Sequence, residues 1–209
     1  MSGAERALSP ALVLASTSPR RRELLAQLGL RFDVARIDVD ERRLTGESPE
    51  AYVRRLAEDK ARAGLMAVTP GTVVVAADTT VALGDDVLGK PASFAEAEAM
   101  WQRLAGGEHR VLTGVAVAVR DAAGEARLAA QVVATRVRFR AIAAQEMQAY
   151  WASGEPADKA GGYAIQGRGA VFVTGIEGSY SNVVGLPLAE TADLLAGFGV
   201  SVWEHAPHV

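Results

Sequence analysis

The chain has 209 residues, of which 49% are hydrophobic, and its 22 Lys and Arg against 25 Asp and Glu give a formal net charge of −3. This size suffices for one substantial core, and the slightly negative charge argues against nucleic acid or a membrane surface as a general partner. Because the sequence has no cysteine and no apolar run of membrane-spanning or secretory-signal length, it excludes thiol chemistry and predicts a cytoplasmic protein.

The N-terminal region alternates between strand and helix signals. ALVLAS (residues 11–16) predicts a buried strand, and the Ser18-Pro19 step behind it predicts a helix that ends at Gly29. Serine caps a helix through its hydroxyl, and proline suits the first helical turn, where its missing N–H costs nothing. RFDVARI (residues 31–37) predicts a second strand because its apolar residues alternate.

The next segments repeat these signals. Ser48-Pro49 predicts a helix that ends near Val68, and TVVVAA (residues 72–77) predicts a buried strand that ends at Asp78. Further elements are a hairpin, a helix, two long antiparallel strands, a helix, a strand and a last helix, predicted at residues 81–91, 94–104, 110–119, 126–139, 143–152, 171–176 and 187–198. We therefore predict one α/β domain over residues 1–209, with a mixed twisted sheet flanked by helices and two lobes around a central cleft.

Three consecutive arginines, Arg20, Arg21 and Arg22, follow the turn into the first predicted helix. A helix N-terminus presents unpaired backbone N–H groups and a partial positive charge, so added cations are unfavourable there unless an anion binds. The cluster therefore indicates a phosphate site, although the spacing of a Walker loop is absent. The alternative is a solvated basic turn of helix.

Asp78 and Glu41 are the acidic candidates, since each follows a predicted strand. Carboxylates at strand ends can converge on a hard divalent cation such as Mg²⁺ or Mn²⁺. The alternative for Asp78 is a turn residue that accepts backbone hydrogen bonds. His109, His205 and His208 show no metal-ligand spacing.

Lys60 falls on the apolar face of the predicted second helix, four residues after Leu56. Its ammonium either reaches back to solvent or points into an anionic cleft. Lys90, in a turn between Gly89 and Pro91, is equally ambiguous. Together with the arginine cluster and the two acidic candidates, these lysines suit a polyphosphate and a metal ion.

An ordered series of motifs resembles the Maf-like family of nucleoside triphosphate pyrophosphatases over about residues 12–198. The motifs are LASTSPRRRELL, DVDE, VRRLAEDKA, AADTTV, GKP, HRVLTGV, DKAGGYAIQGRGA and GSYSNVVGLPL. The resemblance implies metal-dependent cleavage of a nucleoside triphosphate to the monophosphate and pyrophosphate in a Maf/inosine triphosphatase-like fold, commonly within a homodimer. It also implies house-cleaning of nucleotide pools and a link to septum formation and division arrest.

The resemblance assigns roles by position. Asp78 would be catalytic with Glu41 as its partner, and both would hold the divalent cation. Whether Asp78 accepts the proton from water or chiefly holds the metal stays open. The substrate-binding residues would be Ser16, Arg20, Arg21, Lys60, Thr79, Lys90 and Gln166. Of these, Arg20, Thr79 and Gln166 would tune substrate choice.

YAIQGRGA resembles the branch of the family that acts on dTTP and UTP rather than on 7-methyl-GTP. The amide of Gln166 offers a donor and an acceptor that match the N3–H and a carbonyl of thymine or uracil. Its structural alternative is to stabilise the glycine-rich loop. Two other functions stay open for the chain: a purine house-cleaning pyrophosphatase acting on ITP and XTP, and a non-catalytic nucleotide-binding regulator of division.

Overall fold

The computed structural model describes residues 10–203, which form one mixed sheet of seven strands with helices packed against it. The strands are β1 (Leu12–Leu14), β2 (Asp33–Val34), β3 (Val73–Leu83), β4 (Asp86–Leu88), β5 (Glu108–Arg120), β6 (Ala126–Phe139) and β7 (Val173–Glu177). Their order is β2-β1-β3-β5-β6-β7, with β4 paired to β3. Strand β1 is parallel to β2 and β3, and the other pairs are antiparallel. The predicted α/β class with a mixed sheet is confirmed.

The helices are α1 (Pro19–Gln27), α2 (Pro49–Met66), α3 (Phe94–Leu104), α4 (Ala144–Ala152), α5 (Tyr180–Val184) and α6 (Leu188–Gly197). Short 3₁₀ helices follow α4 at Glu155–Asp158, Ala160–Gly162 and Arg168–Phe172. Ser18 and Ser48 cap α1 and α2 as predicted, because each side chain accepts a hydrogen bond from a backbone N–H of the first turn. Helix α5 was not predicted.

The predicted strand over residues 31–37 is wrong in extent, since only Asp33–Val34 pair. Strand β2 lies at the edge of the sheet, and its one neighbour, β1, is three residues long. Because β1 is so short, the rest of residues 31–37 has no neighbouring strand among the described residues with which to form a ladder. It therefore continues as a long loop that carries Glu41 to α2.

The predicted end of a strand at Asp78 is also wrong, because β3 continues to Leu83. Strand β5 pairs with β3 from Val73 to Ala82. On the other side, β1 reaches only Val75 and β4 begins only at Val81. Residues 76–80 therefore border a gap between β1 and β4, and Asp78 lies in the middle of that gap.

Apolar side chains form separate cores at the two ends of the long strands. One core packs α1 and α6 against the sheet and contains Leu14, Leu25 and Leu195. The other surrounds the far ends of β3, β5 and β6 and contains Trp101 and Tyr150. These two lobes share β3 and β5, so the gap along β3 lies between them.

Candidate active site

A cleft of about 630 Å³ opens at the gap along β3 and is lined by residues of both lobes. All nine side chains singled out in the sequence line it, namely Ser16, Arg20, Arg21, Glu41, Lys60, Asp78, Thr79, Lys90 and Gln166. They come from β3, α1, α2 and four connecting segments. Tertiary structure thus brings together residues that are 150 positions apart in the chain.

The ammonium of Lys60 lies between the two acidic candidates. Its Nζ is 2.7 Å from Asp78 Oδ1 and 2.6 Å from Glu41 Oε1. Lys60 is only 8% exposed, so its ammonium does not reach out to solvent. Of the two alternatives for Lys60, the structure shows the one that points into the cleft.

A glycine on β5 allows α2 to bring Lys60 this close to the sheet. Gly114 is the register partner of Asp78, and a Cβ on Gly114 would lie 2.6 Å from the carbonyl carbon of Val53 on α2. Paired residues of neighbouring strands point to the same face of a sheet, so Asp78 faces α2. The close approach of the helix at Gly114 therefore supports the contact between Lys60 and Asp78.

The loop that carries Glu41 is fastened to α2. The hydroxyl of Tyr52 donates to the Glu41 carbonyl at 2.9 Å, and Arg55 donates to the Arg42 carbonyl at 3.0 Å. Arg55 also forms an ion pair with Glu47 at 2.7 Å. Burial opposes ionisation of Glu41, but its hydrogen bond to Lys60 and the nearby cations hold its pKa below the ordinary value.

Thr79 begins a second polar cluster on the opposite face of β3. Its hydroxyl contacts that of Thr113 at 3.0 Å and accepts a hydrogen bond from Arg21 at 3.0 Å. Arg21 also donates to the Gly185 carbonyl at 2.9 Å and to Ser16 at 3.4 Å. Burial lowers the pKa of Arg21, with Asp78 acting in the opposite sense. Because the gap exposes this edge of β3, the cleft reaches side chains from both faces of the sheet.

Arg20 connects the two lobes across the cleft. Its guanidinium donates to Asp158 at 3.2 Å, and Asp158 also pairs with Lys159. Arg22 is exposed and does not line the cleft, so only Arg20 and Arg21 of the three arginines lie where the phosphate site was predicted. Tyr52, Asp158 and Lys159 line the cleft but were not predicted as site residues. Only the last two had a sequence signal, the Asp-Lys step that opens the glycine-rich motif.

Lys90 and Gln166 line the cleft with exposed side chains. Within residues 10–203, neither side chain forms a hydrogen bond or an ion pair. Both are therefore available to a bound molecule.

The predicted metal ligands are the two carboxylates on either side of Lys60. The part of the chain that the structure describes holds no group of three or more His, Asp and Glu side chains placed to bind a metal ion. His109 is buried away from these carboxylates, with its Nε2 2.8 Å from the Tyr163 hydroxyl. His205 and His208 lie outside the described residues. Every helix within residues 10–203 is too short or too polar to cross a membrane.

Comparison with known proteins identifies the family. A family model described as "Maf-like protein" matches residues 11–198. The chain belongs to this family. The resemblance found in the motifs is therefore confirmed, and it extends over most of the chain.

Two similar proteins are both described as dTTP/UTP pyrophosphatases. This Maf-like chain is 58% identical to the dTTP/UTP pyrophosphatase of Myxococcus xanthus, over 90% of this chain and 93% of the relative. It is 55% identical to the dTTP/UTP pyrophosphatase of Anaeromyxobacter dehalogenans (strain 2CP-C), over 94% and 99%. A solved structure described as a nucleoside-triphosphatase or dITP/XTP pyrophosphatase from Mycobacterium abscessus is 18% identical, with a TM-score of 0.37 over 64% of this chain and 76% of that one.

Proposed function

We propose that this protein hydrolyses dTTP and UTP, and modified pyrimidine nucleotides as well, to the monophosphate and pyrophosphate. The observation that carries the proposal is the cleft itself, which in a Maf-like chain gathers paired carboxylates, five cationic side chains and Gln166. Relatives that are 50–58% identical are described as dTTP/UTP pyrophosphatases, which supports the same substrate class.

The proposed reaction is attack by water on the α-phosphorus, with pyrophosphate as the leaving group. Negative charge grows on the nonbridging oxygens and on the departing pyrophosphate. Arg20, Arg21, Lys60 and Lys90 line the cleft and would stabilise that charge. Asp78, the less exposed of the two carboxylates, would accept the proton of the water or chiefly hold the metal, with Glu41 as its partner in either role.

The two carboxylates also fit a divalent cation, Mg²⁺ or Mn²⁺. Both offer hard oxygen ligands, and Mg²⁺ is usually bound by one or two carboxylates together with substrate phosphates rather than by a complete protein cage. Lys60 contacts one oxygen of each carboxylate, which leaves the second oxygen of each for a cation. A cation held by Asp78 and Glu41 would counter the triphosphate charge and acidify the attacking water.

Gln166 is proposed to recognise the base, and Arg20 and Thr79 to contribute to substrate choice. The Gln166 side chain lines the cleft and forms no hydrogen bond with another described residue. This favours recognition of a base over a role in supporting the loop. One amide donor and one acceptor match the N3–H and a carbonyl of thymine or uracil. Cytosine reverses this pattern, but a flipped amide could still bind it, so we expect CTP to be a weaker substrate rather than an excluded one.

The wider role is proposed on the same basis. It comprises house-cleaning of cytoplasmic nucleotide pools by a single-domain enzyme that acts as a homodimer, with an effect on septum formation through those pools. Light scattering of the purified chain tests the dimer: twice the chain mass is expected, and a monomer at working concentration would contradict it.

A pyrophosphate-release assay with Mg²⁺ or Mn²⁺ tests the activity. The substrates are dTTP, UTP, CTP, ITP, XTP, GTP and 7-methyl-GTP, and the nucleotide product is identified for each. Monophosphate and pyrophosphate from dTTP and UTP are expected. Turnover of ITP or XTP alone would replace the proposal by the purine function, and tight nucleotide binding without turnover would replace it by the regulatory one.

A further inference from the structure

Gln166 lies at the tip of a tight turn between the 3₁₀ helices that follow α4. The Gly167 N–H donates to the Ala164 carbonyl at 3.2 Å, which closes the turn around Ile165 and Gln166. Because the Gln166 side chain has no bond of its own within residues 10–203, its direction depends on how this turn is held. The contacts that hold this turn would therefore influence which base Gln166 recognises.

Two side chains outside the turn hold it from both ends. The Tyr150 hydroxyl accepts a hydrogen bond from the Ala164 N–H at 3.1 Å and donates one to Glu155 Oε1 at 2.7 Å. Glu155 accepts from the Arg168 N–H at 2.9 Å and from the Gly169 N–H at 3.0 Å. Residues before and after Gln166 are thus joined through one hydrogen-bonded pair, which we call the Tyr150–Glu155 clamp.

The glycines of the turn leave room for the clamp. A Cβ on Gly167 would lie 2.6 Å from the carboxyl carbon of Glu155, and a Cβ on Gly169 would lie 2.6 Å from the Tyr150 hydroxyl oxygen. Any other residue would push one partner away. Two of the glycines in the motif that resembles the dTTP/UTP branch are therefore explained by contact with the clamp.

The clamp is anchored in the core of its lobe. Tyr150 is 5% exposed, and its ring packs 5.4 Å from that of Trp101 and 5.2 Å from that of Phe172. Burial opposes ionisation of Glu155, but its hydrogen bonds from Tyr150 and from two backbone N–H groups keep its pKa below the ordinary value. Glu155 therefore acts as an ionised acceptor, and such charge-assisted bonds are stronger than neutral ones.

We propose that Tyr150 and Glu155 are positioning residues that set the preference among nucleotide bases by fixing the turn that carries Gln166. The inference rests on the proposed function, because it assumes that Gln166 faces the base. Tyr150 acts through the backbone of Ala164, and Glu155 acts through that of Arg168 and Gly169. The clamp gives the base a rigid partner even though Gln166 itself is exposed.

The test uses the full chain with Tyr150→Phe, which keeps the ring in the core and removes only the hydroxyl, and with Glu155→Gln. Thr191→Val is the matched control, because it removes another buried hydroxyl, whose hydrogen bond to the Pro187 carbonyl at the start of α6 involves no residue that lines the cleft. The readout is the ratio of kcat/KM for UTP to kcat/KM for CTP, because uracil and cytosine differ at the edge that Gln166 is proposed to bind. A mere loss of stability lowers all rates together and leaves this ratio unchanged.

We expect Tyr150→Phe and Glu155→Gln to lower the ratio about three- to ten-fold, the range for one lost hydrogen bond, and Thr191→Val to leave it unchanged. In the double variant Tyr150→Phe with Gln166→Ala, the ratio should be no lower than in Gln166→Ala alone, since both act through one side chain. An unchanged ratio in both clamp variants, or additive losses in the double variant, would overturn the inference.

Substrate turnover by the wild-type chain distinguishes a failure of the proposed function from a failure of the clamp. Turnover of purine nucleotides alone would refute the pyrimidine assignment, and the ratio of kcat/KM between the best and the next-best purine base would then test the clamp. If no nucleotide is turned over, hydrogen exchange decides: Tyr150→Phe should speed exchange of the Ala164, Arg168 and Gly169 amides, and unchanged exchange would overturn the clamp.

Discussion

Lys60 Nζ lies 2.7 Å from Asp78 Oδ1, and both side chains are almost wholly buried where the cleft meets the gap in the sheet. An ion pair in such a place is stable only when each charge has a partner, because desolvation of an isolated charge is costly. Lys60 gains a second partner in Glu41. Lys60 therefore neutralises charge on both carboxylates, and replacing any member of this group should change how the cleft binds and cleaves its substrate.

Replacement of the carboxylate should stop the reaction without unfolding the chain. For Asp78→Asn we expect a loss of kcat on the order of a hundred-fold or more, because a positioned proton acceptor or metal ligand is removed while the size of the side chain is kept. Steady-state pyrophosphate release from dTTP measures the loss. Asp86→Asn on β4, whose partner is the exposed Arg103, serves as the control. Near-normal turnover by Asp78→Asn would remove Asp78 from the mechanism.

Replacement of the ammonium should weaken catalysis and substrate binding together. For Lys60→Met we expect kcat/KM to fall by a factor on the order of 10 to 100, which corresponds to about 1.5 to 3 kcal/mol for a lost charged hydrogen bond. Arg62→Met is the control, since it removes an exposed cation from the same helix. Equal kcat/KM for the two variants would show that the position of Lys60 in the cleft has no catalytic consequence.

A methyl group added at Gly114 on β5 should disturb the contact between Lys60 and Asp78 indirectly. Gly114→Ala forces α2 away from the sheet at Val53, so we expect a fall in the free energy of unfolding of about 1–3 kcal/mol and a loss of activity beyond that of stability. Denaturant unfolding and kcat/KM at a temperature where the variant is folded measure the two effects. Gly197→Ala is the control, because a Cβ there meets no atom within 4 Å. Full activity in folded Gly114→Ala would contradict this account of how Lys60 is placed.

His109 should make the fold less stable in mild acid. It is 2% exposed, and burial lowers its pKa from 6.5 to about 4. Between these values the unfolded chain binds a proton that the folded chain does not, so the stability present above pH 6.5 is lost as the pH falls towards 4. The loss from this residue is about 3 kcal/mol when complete.

Denaturant unfolding of the wild type and of His109→Gln from pH 7 to pH 4.5 tests this. Other titrating groups affect both proteins alike, so we expect the stability difference between them to shift in favour of the variant as the pH falls. A difference that does not change with pH would show that His109 is not a buried neutral side chain.

Much of the fold could be predicted because its signals are local. Ser18, Pro19 and Gly29 mark the two ends of α1, and Gly29 has the left-handed φ of 71° that favours glycine there. The long valine-rich strands β5 and β6 were equally clear. The end of β3 was misjudged because polar residues after an apolar run resemble a strand end. In the structure, those polar residues face a gap left by the neighbouring strands, and nothing near Asp78 in the sequence indicates that gap.

The site residues were predicted chiefly through family resemblance, and the contacts between them required the structure. Lys60 was a partial exception, since its place on an apolar helix face singled it out but left open whether its ammonium reaches solvent or an anionic cleft. The Tyr150–Glu155 clamp gave no sequence signal. Its hydrogen bonds join residues up to 14 positions apart through irregular turns, where no periodicity marks which side chains meet.

Hydrolysis of dTTP in water enriched in oxygen-18 tests the central claim most directly, with mass spectrometry of both products. Attack at the α-phosphorus in this cleft predicts one heavy oxygen in the dTMP and none in the pyrophosphate. Heavy oxygen in the pyrophosphate, or release of orthophosphate with dTDP, would contradict the proposed reaction.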